Sequence, residues 1–148
     1  MANQNFRLKW SVENGKFKYE LIRSARKRVE RAIQSGFNIE ATALLESLIA
    51  DRIESATENK TGEVQKVQNL GRLVTNAISQ EIISEDLAAQ IRNWSNSRAK
   101  VIHEMVKVTS ENPGSWKERM TFAMQLAQEG IEILKKVEKI SRSYRPRR

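Results

Sequence analysis

Residues 38–58 read Asn38-Ile39-Glu40-Ala41-Thr42-Ala43-Leu44-Leu45-Glu46-Ser47-Leu48-Ile49-Ala50-Asp51-Arg52-Ile53-Glu54-Ser55-Ala56-Thr57-Glu58. Their spacing predicts a helix starting near Asn38, a residue type suited to capping helix N-termini. Ala41, Leu44, Leu45, Leu48 and Ile49 spread over too wide an arc for a single apolar stripe, which predicts a helix lying centrally in a bundle. Working outward, Phe17, Leu21, Ala25, Val29 and Ala32 recur at helical spacing, with Ile22 and Ile33 widening the stripe. An amphipathic helix of about 18 residues is expected there, with Glu20, Arg23, Lys27, Glu30 and Arg31 on its outer face and Gly36 as C-cap.

Residues 59–63 read as a loop. A shorter helix is expected through Val64, Val67, Leu70, Leu73, Val74 and Ala77, with Gly71 as an interruption. Ser84-Glu85-Asp86 supplies a cap followed by acids suited to the positive end of a helix dipole. Leu87, Ile91, Trp94, Val101, Ile102 and Met105 form the next stripe, and Asn112-Pro113-Gly114 stops it. Ser115-Trp116-Lys117-Glu118 has capping-box spacing and opens a last helix through Trp116, Met120, Ala123, Ala127, Ile131 and Leu134. The chain therefore reads as all-α, a single-domain bundle of four or five helices over residues 15–142, between an N-terminal segment 1–14 and a basic tail 143–148.

Composition agrees with that class. The two prolines, Pro113 and Pro146, leave most of the chain free to be helical, and sustained strand alternation is absent. No apolar run approaches the roughly 18 residues that span a bilayer. Met1-Ala2-Asn3-Gln4-Asn5 lacks the features of a signal peptide, so a soluble cytoplasmic protein is expected. With no cysteine and one histidine, a zinc site is improbable and no cofactor is expected. The net charge of +8 is unevenly spread: residues 1–36 carry nine Lys/Arg against three acids, residues 37–90 four against nine, residues 91–148 thirteen against six. Basic outer segments suit nucleic acid, while the alternation also suits contacts between oppositely charged segments.

The one histidine, His103, is the side chain whose ordinary pKa lies nearest neutrality, and Arg98 precedes it by five residues. On an unbroken helix that spacing leaves the two ~140° apart around the axis. Arg98 then falls with Ile91, Trp94, Ile102 and Met105, and His103 with Arg92, Asn96 and Lys107. Two arrangements would bring them together. A helix break at Ser95-Asn96-Ser97 would put Arg98 in a fresh first turn. A two-fold dimer would supply the missing group from a second copy.

The stretch Leu87-Ala88-Ala89-Gln90-Ile91-Arg92-Asn93-Trp94-Ser95-Asn96-Ser97-Arg98-Ala99-Lys100-Val101-Ile102-His103, with its Arg-x4-His spacing late in an all-helical chain, resembles the HEPN superfamily of bacterial and archaeal RNases. Ala43-Leu44-Leu45-Glu46-Ser47-Leu48-Ile49 resembles an earlier family helix carrying an acidic residue. The resemblance implies a metal-independent endoribonuclease acting as a homodimer. Arg98 and His103 would be its catalytic residues and Glu46 an orienter of Arg98. Toxins and phage-defence effectors in the family imply an RNA substrate and a cognate antitoxin. The family usually places a polar residue directly after the arginine, where this chain has Ala99.

The alternative is a catalytically inactive HEPN-like basic module that binds nucleic acid or scaffolds a complex. Arg92, Asn96, Lys100, Lys107, Arg145, Arg147 and Arg148 are candidate nucleic-acid contacts, with Arg23, Arg26, Lys27, Arg28, Arg31 and Arg142 as further phosphate ligands. A third reading places Trp94, Trp116 and Phe122 at a partner interface, against the commoner role of such residues in a core.

Overall fold

A computed structural model describes residues 12–64, 69–111 and 113–145, with side chains from Gly15 onward. Five helices follow in order: α1 (Val12–Gln34), α2 (Asn38–Thr61), α3 (Leu70–Ser79), α4 (Glu85–His103) and α5 (Trp116–Ser143). No strand occurs among the described residues. The expected all-α bundle is what forms, and α2 touches each of the other four helices. Its wide apolar surface explains this: Ala41, Leu45, Leu48, Ile49, Ile53 and Ala56 are all buried, on faces that one neighbour alone cannot cover.

Gly36 ends α1 as its sequence position predicts. At φ +79° it takes the left-handed conformation, Phe37 N–H donates to Ala32 O (2.7 Å) and Gly36 N–H to Ile33 O (3.1 Å). This pair of bonds is a Schellman motif, which satisfies the last carbonyls of the helix. The motif runs directly into α2, so Phe37 occupies the N-cap position and caps with no side chain. Asn38, expected as the cap, instead lies buried one residue too late. Salt bridges from Lys18 to Asp51 (2.8 Å) and from Arg28 to Glu40 (2.8 Å) run α1 antiparallel to α2.

The expected face of α1 is corrected in its first half. Phe17 and Leu21 are exposed, while Ile22, Ala25, Val29 and Ala32 meet the core. A strict i, i+4 series advances ~40° around the axis at each step. Following Phe17 and Leu21 therefore drifts off the contact line that Ile22 and Ala25 keep. α3 is shorter than expected. Asn69 Oδ1 accepts from Arg72 N–H (2.9 Å) to start it, Gly71 lies inside it without breaking it, Val64 is exposed, and Val67 lies outside the described residues.

Ser84 caps α4 by accepting from Leu87 N–H (3.1 Å), and Ser115 caps α5 by accepting from Glu118 N–H (3.3 Å). The expected stop at Asn112-Pro113-Gly114 is corrected: α4 already ends at His103, where Glu104 takes the C-cap position and donates its N–H to Lys100 O, so Met105 falls beyond the helix. Asn112 lies outside the described residues. α4 and α5 pack antiparallel, with Trp94 Nε1–H donating to Leu126 O at 2.7 Å and Lys136 Nζ to Gln90 at 3.0 Å. Gly130 permits this approach: a Cβ there would stand 2.7 Å from Trp94 Cζ2 and 3.0 Å from Leu45 Cδ1. Trp94 is core, whereas Trp116 and Phe122 are exposed, because the buried line of α5 runs through Arg119, Ala123, Leu126, Gly130, Ile133 and Val137. Tyr144, just past α5, packs against the core. None of the helices described is long and apolar enough to cross a membrane.

Candidate functional site

α4 is continuous from Glu85 to His103, so the expected break at Ser95-Asn96-Ser97 does not form. Ser84 already caps this helix, and the packing of Ile91 and Trp94 below the serines carries it through them. Arg98 and His103 consequently keep the ~140° separation that their spacing on one helix requires. Within one subunit they form no common site.

Arg98 turns inward. Its Nη2 pairs with Glu46 Oε2 on α2, with the two side chains 21% and 23% exposed. Ser95, one turn earlier on α4, donates its hydroxyl to Glu46 Oε1 at 3.3 Å. The structure thus brings Glu46 and Arg98 together across the bundle and adds Ser95, which sequence reading had placed at a helix break. Arg98 Nε is buried without a hydrogen-bond partner, so the guanidinium retains donor capacity beyond the contact with Glu46.

His103 lies exposed at the last position of α4, with Lys107 Nζ 3.1 Å from its Nε2. Exposed apolar side chains surround the same helix end: Ile102 is 42%, Val106 87% and Val108 81% exposed. Arg119 holds the connection that follows. It is buried, donating from Nε to Gly114 O (2.9 Å) and from Nη1 to Lys107 O (2.7 Å) and Glu104 O. A cation at the head of the α5 apolar line was the signal in the sequence for this role. Beneath the connection lies a cleft of about 540 Å³ lined by Lys100, Val101, Glu104, Glu118, Arg119 and Phe122 among others, and neither Arg98 nor His103 reaches it.

The remaining candidate contacts are spread over the surface. Arg92 donates to Thr75 (2.7 Å), Lys100 pairs with Glu111 (3.2 Å) and Asn96 is exposed. Arg145 is exposed beyond α5, and Arg147 and Arg148 lie outside the described residues. Among the described residues no group of three or more His, Asp or Glu side chains is placed to hold a metal ion.

No family model matches the chain, and no curated protein or solved structure is significantly similar to it.

Proposed function

We propose that this chain is a HEPN-type endoribonuclease that acts as a homodimer in the cytoplasm. The observation that carries the reading is the ion pair between Glu46 on α2 and Arg98 on α4. It joins the two segments on which the family resemblance rests, and His103 stands exposed at the end of the same helix, beside Lys107. The separation of Arg98 from His103 makes a second copy necessary. The apolar side chains of Ile102, Val106 and Val108 beside His103 offer the surface on which that copy would bind.

In the composite site, an imidazole removes the proton of a ribose 2′-OH, and the 2′ oxygen attacks the adjacent phosphorus. The bond from phosphorus to the 5′ oxygen breaks, and that oxygen takes a proton from the partner subunit's imidazole or from water. A 2′,3′-cyclic phosphate and a 5′-OH result. Arg98 donates hydrogen bonds to the phosphate oxygens as charge grows on them, and Glu46 positions Arg98. An antitoxin that covers the composite site is the corresponding regulatory partner.

The test is cleavage of RNA by purified protein in the presence of a chelator, with native mass measurement of the assembly. Loss of cleavage in both His103→Ala and Arg98→Ala supports the assignment, and undiminished cleavage in both removes it. The second reading, a basic module that binds nucleic acid without cutting it, draws on Ala99 and on the partial neutralisation of Arg98 by Glu46. Its signature is steeply salt-dependent binding, no cleavage and indifference to His103→Ala.

A further inference from the structure

A cluster of arginines lies away from Arg98 and His103. A cleft of about 460 Å³ between α1, α2 and α5 is lined by Arg23, Arg26, Arg52, Arg142 and Arg145, with Glu138 as its only acid among the described residues. It continues into a second hollow that shares Tyr19, Ile22, Arg52, Ser141 and Arg145 and adds Lys18 and Glu58. Along this groove six cations face three carboxylates, Asp51, Glu58 and Glu138. Arg26 is paired with Glu138, and Arg52 shares Asp51 with Lys18. Arg23, Arg142 and Arg145 have no carboxylate partner among the described residues.

Helix-end electrostatics account for only part of this cluster. Arg142 and Arg145 sit at the C-terminus of α5, where a cation is favoured. Arg26 and Arg52 come from the interiors of α1 and α2 and gain nothing from a helix end. Burial and then the like charges of Arg52, Arg142 and Arg145 hold the Arg26 guanidinium below its ordinary pKa, although Glu138 lies against it. A bound anion would relieve that repulsion. Guanidinium forks match phosphate oxygens in geometry as well as charge.

We propose that this groove binds a single RNA strand, its arginines holding consecutive phosphates and the Tyr19 ring stacking on a base. Tyr19 separates this ligand from a free phosphate. It is 66% exposed at the junction of the two hollows, an aromatic face beside a cationic track. That combination recognises single strands with little sequence preference. Arg119, which holds the chain next to His103, is separated from Arg142 by ~35 Å along α5. The groove is therefore a second site, and its occupancy does not depend on the cleavage reading.

The test is fluorescence anisotropy of a labelled oligouridylate across a range of salt concentrations. Wild type is compared with the Arg23→Gln/Arg142→Gln double variant, with Tyr19→Ala, and with a charge-matched Lys117→Gln/Lys135→Gln control. The double variant is expected to bind roughly tenfold or more weakly and to lose about 1.4 from the salt slope, roughly 0.7 per phosphate contact on a single strand. Tyr19→Ala is expected to weaken binding several-fold with the slope unchanged, and the control to match wild type. An unaffected double variant, a control equally weakened, or no binding by wild type overturns the proposal. So does binding of inorganic tripolyphosphate that depends on the arginines but not on Tyr19, with RNA failing to compete. Loss of cleavage in His103→Ala reports on the proposed active site, and loss of oligouridylate binding in the Arg23→Gln/Arg142→Gln variant reports on the groove, so the two claims fail separately.

Discussion

Glu46 and Arg98, 52 residues apart in sequence, meet as a partly buried ion pair that ties the central helix α2 to α4. Removing one member leaves the other desolvated without its counter-charge, which costs more than the pair itself contributes. Glu46→Ala is expected to lower stability by about 2 kcal/mol in urea unfolding. The Glu46→Ala/Arg98→Ala double variant should lose less than the sum of the singles. Strict additivity would mean the contact carries no coupling.

Gly130 lies where the Trp94 ring crosses α5, with a Cβ position 2.7 Å from the ring. Alanine is the better helix former, yet here its methyl must push an indole that is locked by its bond to Leu126 O. Gly130→Ala is expected to destabilise by about 1–3 kcal/mol. Thermal unfolding checks this, and a variant as stable as wild type would show that Trp94 can move.

Glu81 closes α3 with φ +56°, Ile82 N–H donating to Ala77 O (2.8 Å) and Glu81 N–H to Ile78 O (2.9 Å). This is the same motif that Gly36 forms after α1, but with a side chain in the left-handed region. Glu81→Gly is expected to raise stability by about 1 kcal/mol, measured as an increase in the urea midpoint with an unchanged slope. A decrease would show that the glutamate side chain stabilises the turn by more than its backbone costs.

Burial raises the pKa of the Asp51 carboxyl, but hydrogen bonds from Lys18 and Arg52 and their two charges outweigh it, and the net shift is downward from 3.8. A carboxyl depressed in the folded state stabilises above its unfolded pKa and loses that contribution as pH falls through the folded value. Wild type should therefore exceed Asp51→Asn in stability by a constant margin from neutral pH down to about 5, and the margin should close below about 4. Unfolding across that range measures it, and a margin that widens in acid would reverse the sign of the shift.

Arg119 satisfies three backbone carbonyls, those of Glu104, Lys107 and Gly114. Arg119→Met keeps most of the side-chain volume and removes every donor. Amide exchange in residues 104–115 is expected to accelerate well beyond that of α2, with a global loss of about 2–3 kcal/mol. Equal acceleration throughout the bundle would instead make Arg119 a general core residue.

The sequence by itself determined the helical class and most helix ends. Gly36, Ser84 and Ser115 act through bonds that span three to five positions, so their chemistry is readable in place. The angle between Arg98 and His103 was equally legible, since it follows from helix pitch once α4 is continuous. Tertiary structure decided the rest. The loss of the Asn38 cap, the exposure of Phe17 and Trp116, the meeting of Glu46 with Arg98 and the gathering of arginines from α1, α2 and α5 depend on how helices rotate against each other. Periodicity fixes which residues share a helix face. Only packing selects the part of that face that is covered, because burial is a property of two surfaces and a single chain segment specifies one.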